Sequence, residues 1–223
     1  MMNAVRRGRF ITFEGIEGAG KSTQLERLVR RVREAGQELL VTREPGGTSL
    51  GERLRDLLLD PSIGAMAAET ELLLIFAARA EHLRSRIEPA LARGEWVFCD
   101  RFTDASFAYQ GAGRRLGADK VAVLEDWLQG DLRPDLVLLF DVPAQLGLER
   151  AVKRGKRDRM ESEDLAFFER AREAYLERAR SDPERYRVID GSEDMESVGT
   201  AVDLAWSEWV EGAANMDAPR RSG

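Results

Sequence analysis

The run Gly15-Ile16-Glu17-Gly18-Ala19-Gly20-Lys21-Ser22 ends in an ammonium and a hydroxyl that follow a cluster of glycines. Its spacing is GxxxxGK[ST], the phosphate-binding P-loop pattern, and it follows an apolar strand-like stretch, Phe10-Ile11-Thr12-Phe13, and precedes a helix-like one. Glycines let successive backbone N–H groups converge on phosphate oxygens, and a helix starting there adds its positive end. Lys21 would then reach the β- and γ-phosphates of a nucleoside triphosphate, with Ser22 on magnesium and Thr23 completing the cradle. A glycine turn that merely joined strand to helix would need neither Lys21 nor Ser22. A second stretch, Trp96-Val97-Phe98-Cys99-Asp100, ends in a carboxylate where such a protein holds magnesium through water, and runs straight into Arg101. That cation falls beside the γ-phosphate position and could hold an acceptor.

These groups need a frame, and short apolar runs alternating with segments of helical period supply one. Strands are expected at 9–14, 38–42, 96–100, 136–142 and 186–190. Leu25, Leu28, Val29 and Val32 mark an amphipathic helix that stops at Gly36. Further helices are expected at 50–59, at 69–92 and after residue 162, the last with Ser162 as its N-cap. The fold class is α/β: a parallel sheet flanked by helices, in a single domain over residues 1–212. Residues 150–161 (RAVKRGKRDRME) carry Arg150, Lys153, Arg154, Lys156, Arg157 and Arg159 and read as a mobile, solvated basic flap. Residues 213–223 read as a disordered tail.

A net charge of −6 over 223 residues argues against a broad basic face for nucleic acid. One cysteine, Cys99, cannot form an internal disulfide, and no apolar stretch reaches membrane-spanning length. A cytoplasmic protein without nucleic-acid or membrane partners is expected. A GTPase would read guanine with an Asn-Lys-x-Asp segment, yet no asparagine lies between Ala4 and Ala214. A non-enzymatic ATP switch is the rival from another class. The flap favours transfer, because an arginine closing on the equatorial oxygens stabilises a phosphoryl-transfer transition state by a factor of about 10³–10⁵.

Phe13-Glu14-Gly15, Gly18-Ala19-Gly20-Lys21-Ser22-Thr23, Arg43-Glu44-Pro45-Gly46-Gly47-Thr48, Asp100-Arg101-Phe102 and Ala108-Tyr109-Gln110-Gly111 together resemble bacterial thymidylate kinases, from about residue 8 to about residue 205. The resemblance implies a five-stranded parallel sheet of P-loop NTPase type, a homodimer, and magnesium-dependent transfer of the ATP γ-phosphoryl group to dTMP for dTTP biosynthesis. Another small-molecule P-loop kinase is the runner-up. The resemblance puts ATP on residues 15–23. It gives Glu17 the deoxyribose 3′-hydroxyl, Arg43 and Arg101 the acceptor phosphate, and Arg79 the thymine. Ser106, Tyr109 and Gln110 complete the acceptor pocket, Tyr109 beneath the sugar. Magnesium falls to Ser22 and Asp100. Lys21, Glu17, Arg101 and the flap's Arg154 and Arg159 are the expected catalytic groups, whereas Arg157 has no clear counterpart. Where many members stack a phenylalanine on the base this chain has Ile75, with Phe76 adjacent. His82, the single histidine, reads as structural.

Overall fold

The computed structural model describes residues 7–153 and 158–217. Five strands, β1 (Phe10–Glu14), β2 (Leu39–Arg43), β3 (Trp96–Asp100), β4 (Leu136–Asp141) and β5 (Tyr186–Asp190), form one parallel sheet in the order β2-β3-β1-β4-β5. All five lie within two residues of the expected bounds. β1 and β4 are the most apolar, with Phe10, Ile11, Phe13 and Leu136–Phe140 buried, as central strands covered on both faces must be. The chain steps from β1 out to the edge strand β2 and then returns across the sheet through β3, β4 and β5, so connections leave the centre in opposite directions and a crevice opens at the carboxyl ends of β1, β3 and β4.

Helices cover both faces: α1 (Lys21–Glu34), α2 (Ser49–Leu59), α3 (Ala68–His82), α4 (Glu88–Ala92), α5 (Thr103–Ser106), α6 (Ala118–Gln129), α7 (Ala144–Val152), α8 (Leu165–Ser181) and α9 (Met195–Asp217). The expected single helix over 69–92 is α3 and α4 joined by a wide π-helical segment, Leu83–Ile87. α1 buries Leu28, Val29 and Val32 against the sheet. α8 buries Phe167, Phe168, Ala171, Tyr175 and Ala179 on one face, while Trp206 and Trp209 of α9 pack edge-on against Trp96.

Three expectations need correction. α8 is capped by Asp164, whose side chain accepts from Phe167 N at 2.7 Å, and Ser162 instead donates to Asp158 O. The helical backbone of α9 runs through Asp217, so the segment expected to be a tail is helical up to there; residues 218–223 lie outside the described ones. The segment 150–161 is not a uniformly solvated flap either. Arg150 belongs to α7, and Arg159 is only 8 % exposed. Its Nε donates to Leu58 O at 2.7 Å and its Nη2 to Glu71 Oε2 at 2.5 Å, which makes the descending arm of this segment part of the packed structure.

Candidate active site

β1 delivers the glycine loop to the crevice, and the loop geometry demands its glycines. Gly18 has φ 73, and a Cβ there would lie 2.1 Å from Gly147 O. Gly20, with φ 88, occupies the cap position of α1 and supplies no side chain, leaving the first amides of the helix free for an anion. Lys21 is buried, with Nζ donating to Gly15 O at 2.8 Å and Ile16 O at 2.9 Å. Burial, reinforced by Arg101, lowers its pKa to about 8. Ser22 and Thr23 are exposed on the first turn of α1.

Beside the loop is a cavity lined by Glu17, Arg55, Ile75, Arg79, Arg101 and Tyr109, with Ser106 and Gln110 also in its wall. Seven of the residues named from sequence for catalysis or acceptor binding are thus brought together around or beside it: Lys21, Glu17, Arg79, Arg101, Ser106, Tyr109 and Gln110. Arg101 donates from Nη2 to Glu17 Oε1 (2.8 Å) and from Nη1 to Gly15 O (2.7 Å), and Tyr109 donates to Glu17 Oε2 (2.5 Å). Glu14, beneath them, accepts from Phe102 N at 2.6 Å; burial, with Asp104 nearby, pushes its pKa up to about 8.

At the far end, Arg79 is 1 % exposed. Its Nε donates to Glu44 Oε2 (2.7 Å), and its Nη2 to Phe102 O (3.1 Å) and Ser106 Oγ (3.0 Å). Nη1 is buried without a partner. Ile75 lines the cavity, whereas Phe76 is core and lies under the Arg79 guanidinium at 4.5 Å. Gln110 donates to Glu71 Oε1 at 2.8 Å, the carboxylate that also receives Arg114 and Arg159.

Arg43 departs from expectation. It ends β2 as expected, but its side chain is 53 % exposed, pairs with Glu52 at 2.7 Å and does not line the cavity. Arg55, which sequence reasoning did not single out, lines it instead and donates to Pro45 O at 3.0 Å; burial and the nearby Arg43 and Arg101 lower its proton affinity. Arg154 and Arg157 lie outside the described residues. Asp100 closes β3 in register with Phe13 of β1, and its Oδ1 is buried without a partner. A further hollow on the other side of the glycine loop, lined by Gly18, Gly20, Thr23, Arg150, Gly191 and Asp194, also escaped the sequence reading. There Arg150 donates to Gly191 O at 2.5 Å and Ser192 O at 3.0 Å, spanning α7 to the loop after β5.

The crevice therefore combines a P-loop with an adjoining cavity, and residues 13–202 match the family model described as thymidylate kinase. The chain belongs to the thymidylate kinase family. It is 56 % identical over 204 residues to a thymidylate kinase of Pseudomonas savastanoi pv. phaseolicola, covering 92 % of this chain and 97 % of that relative. A Pseudomonas putida thymidylate kinase is 58 % identical over 196 residues, covering 88 % and 93 %. The crystal structure of the Ehrlichia chaffeensis thymidylate kinase matches with a TM-score of 0.74 at 32 % identity, over 90 % of this chain and 99 % of that one. As in other thymidylate kinases of this P-loop fold, the work of the site is ATP-dependent phosphoryl transfer between nucleotides. Among the described residues no helix is long and apolar enough to cross a membrane.

Proposed function

We infer that this chain transfers the γ-phosphoryl group of ATP to dTMP, giving dTDP and ADP for dTTP synthesis. The observation that carries the choice of acceptor is the buried, unpartnered Nη1 of Arg79 in the wall of the cavity. A buried cation with free N–H groups calls for an acceptor atom, which thymine offers at O4 and cytosine, with an amino group there, does not. Arg101 and Arg55 sit toward the cradle, where two planar forks suit a monophosphate. Glu17 receives the sugar hydroxyl above Tyr109, and Ser106 and Gln110 border the base. Arg43 acts at most through Glu52 and the turn beside it. The hollow flanked by Arg150 takes the donor nucleoside.

The donor set fits magnesium. Asp100 offers a buried carboxylate oxygen with no other partner, and Ser22 offers an exposed residue's hydroxyl in the first turn of α1. Both are hard oxygen donors of the kind that ion prefers. When bound, the ion neutralises charge on the phosphate oxygens. The protein's own part is positioning and charge: Lys21 and the loop amides hold the donor phosphates, and Arg101 aligns the acceptor phosphate in line with them. Arg154 is proposed to close on the γ-phosphate from the flap, with Arg159 anchoring the arm that carries it.

A homodimer is proposed from an apolar surface on two adjacent helices. Leu73 of α3 is 58 % exposed, and Val123 and Trp127 of α6 are 68 % and 82 % exposed. An apolar face of this kind, shared by two adjacent helices, suits a self-complementary contact. Residence in the cytoplasm, with nucleotides rather than nucleic acid or membrane as ligands, completes the reading.

The test is ADP release with ATP, magnesium and each nucleoside monophosphate in turn. Turnover with dTMP well above dUMP, and dUMP above dCMP, is expected. Turnover confined to an adenosine, guanosine or cytidine monophosphate overturns the reading in favour of another small-molecule kinase, and ATP binding with no turnover overturns it in favour of a switch.

A further inference from the structure

The Arg79 guanidinium is tied to a buried chain of polar groups that starts in the cavity wall at Glu44 and runs inward to His82 and Thr42. Glu44, the residue after β2, divides its carboxylate: Oε2 accepts from Arg79 Nε at 2.7 Å, and Oε1 faces His82 Nδ1 at 3.0 Å. The other imidazole nitrogen, Nε2, lies 2.7 Å from Thr42 Oγ1. Arg79, Glu44 and His82 are all at most 3 % exposed. Thr42 and Glu44 alternate along the strand direction and point to one side. Arg79 and His82, three residues apart on α3, share a helix face. Two pairs on two elements thus meet in a single line.

The charge state follows from the partners. Burial pushes the Glu44 carboxyl up, but Arg79 and His82 together outweigh it and hold the group below the ordinary carboxylate range. An ionised carboxylate only accepts, so Nδ1 carries the proton shared with Glu44. Nε2 makes the second bond of the ring, with the Thr42 hydroxyl, which can either donate or accept there. The turn following Glu44 rests on this last bond: a Cβ on Gly47 would lie 2.5 Å from His82 Nε2 and 2.6 Å from Thr42 Oγ1. The same turn offers Pro45 O to Arg55.

We propose that His82, acting through Glu44, positions Arg79 and thereby sets which nucleobase the acceptor cavity accepts. The proposal rests on the reading of Arg79 as the base contact. A guanidinium is planar, so fixing Nε on Glu44 and Nη2 on Phe102 O and Ser106 Oγ fixes the directions of both Nη1 hydrogens. Without the imidazole, Glu44 Oε1 is a buried acceptor lacking its donor, and the carboxylate is free to turn about its last torsion. Arg79 then loses a defined aim while keeping its charge, and discrimination between an acceptor and a donor on the base suffers first. His82 touches no substrate in this arrangement and is a positioning residue.

Steady-state kinetics on His82→Phe, Thr42→Val and Arg79→Ala, with dTMP and dCMP as acceptors, test this. His82→Phe is expected to raise KM for dTMP about tenfold, the value of one lost buried hydrogen bond, and to narrow the dTMP-to-dCMP ratio of kcat/KM by a similar factor. KM for ATP should stay within about twofold, and Thr42→Val should shift the ratio in the same direction by less. Equal losses on both acceptors with an unchanged ratio, while Arg79→Ala narrows it, overturn the proposal and leave His82 a packing residue. An unchanged ratio in Arg79→Ala overturns the base-reading assignment and the proposal with it. Should His82→Phe fail to fold, Thr42→Val carries the test, and an unaltered ratio there is the overturning result.

Discussion

Arg101 donates to Glu17 Oε1 at 2.8 Å, pairing the cation at the end of β3 with the acid of the glycine loop. The pair joins the glycine loop to the wall of the adjoining cavity. The backbone of Arg101 is left-handed, with φ 68, a conformation that costs a side-chain-bearing residue energy and persists where surrounding bonds over-determine it. Here Arg101 N donates to Phe13 O, and Phe102 N to Glu14, so two residues of β1 clamp the backbone on both sides of the Arg101–Phe102 peptide.

Arg101→Lys follows from this geometry. One ammonium cannot reach Gly15 O, Glu17 and an acceptor phosphate as the guanidinium fork does. A loss of about 10–100-fold in kcat/KM for dTMP is expected, corresponding to one or two charge-assisted hydrogen bonds. Kinetics with each substrate varied in turn should place most of it on dTMP rather than ATP; an unaltered KM for dTMP would remove Arg101 from the phosphate.

A pH dependence attaches to Lys21. Because burial and Arg101 bring its pKa down to about 8, the folded chain sheds this proton before the unfolded chain does at 10.5. Between those values the unfolded state binds more protons, so Lys21 makes the nucleotide-free protein gain stability as pH rises through this window. Phosphate binding needs the charged form, so ATP affinity should fall over the same window. Calorimetric titration of ATP from about pH 7 to about pH 9.5 should show weakening above about pH 8 that is absent in Lys21→Ala. A dissociation constant flat across that range would contradict the assignment.

The frame and the cradle were legible because they rest on local signals. Five apolar runs could only be strands between helices, and GxxxxGK[ST] is recognisable within eight residues even though the backbone that crowds Gly15 and Gly18 belongs to Phe140 and Gly147. What escaped depends on which way a side chain turns. Arg53 and Arg55 stand two apart on α2 with nothing in the sequence to separate them, and only the packing of α2 on α3 aims Arg55 into the cavity. Arg43 was placed correctly on β2 but faces outward onto Glu52, which itself caps the turn by accepting from Gly47 N. The flap misled for the same reason. Its cations look uniformly solvated in sequence because Glu71, the acid that buries Arg159, lies 88 residues away.

Arg159→Ala should therefore act on stability as well as on turnover. Glu71 is fully buried, and it loses one of two arginines while keeping Arg114 and Gln110. Removing one partner of a buried ion pair costs on the order of 3 kcal/mol, and the retained Arg114 puts the expectation at or below that value. Urea unfolding without nucleotide should show a lower midpoint at an unchanged slope. A midpoint equal to that of the unsubstituted protein, with kcat alone reduced, would mean that Arg159 leaves Glu71 in solution and acts only on the nucleotide.

Trp127 offers the sharpest test of assembly. An indole that is 82 % exposed, with Val123 one turn before it on α6 and Leu73 on the neighbouring α3, leaves apolar area in water that a second copy could cover. Fully burying a side chain of this class is worth about 1.5–3 kcal/mol, and a two-fold contact uses each position twice. Trp127→Glu instead places two charges at the same contact, so the substituted protein should sediment as a monomer at concentrations where the original is a dimer. α6 does not line the acceptor cavity, and thermal unfolding should show that the monomer still folds. If Trp127→Glu leaves the sedimentation coefficient unchanged and dimeric, the contact lies on another face; if the original protein is itself a monomer at micromolar concentration, the homodimer is wrong.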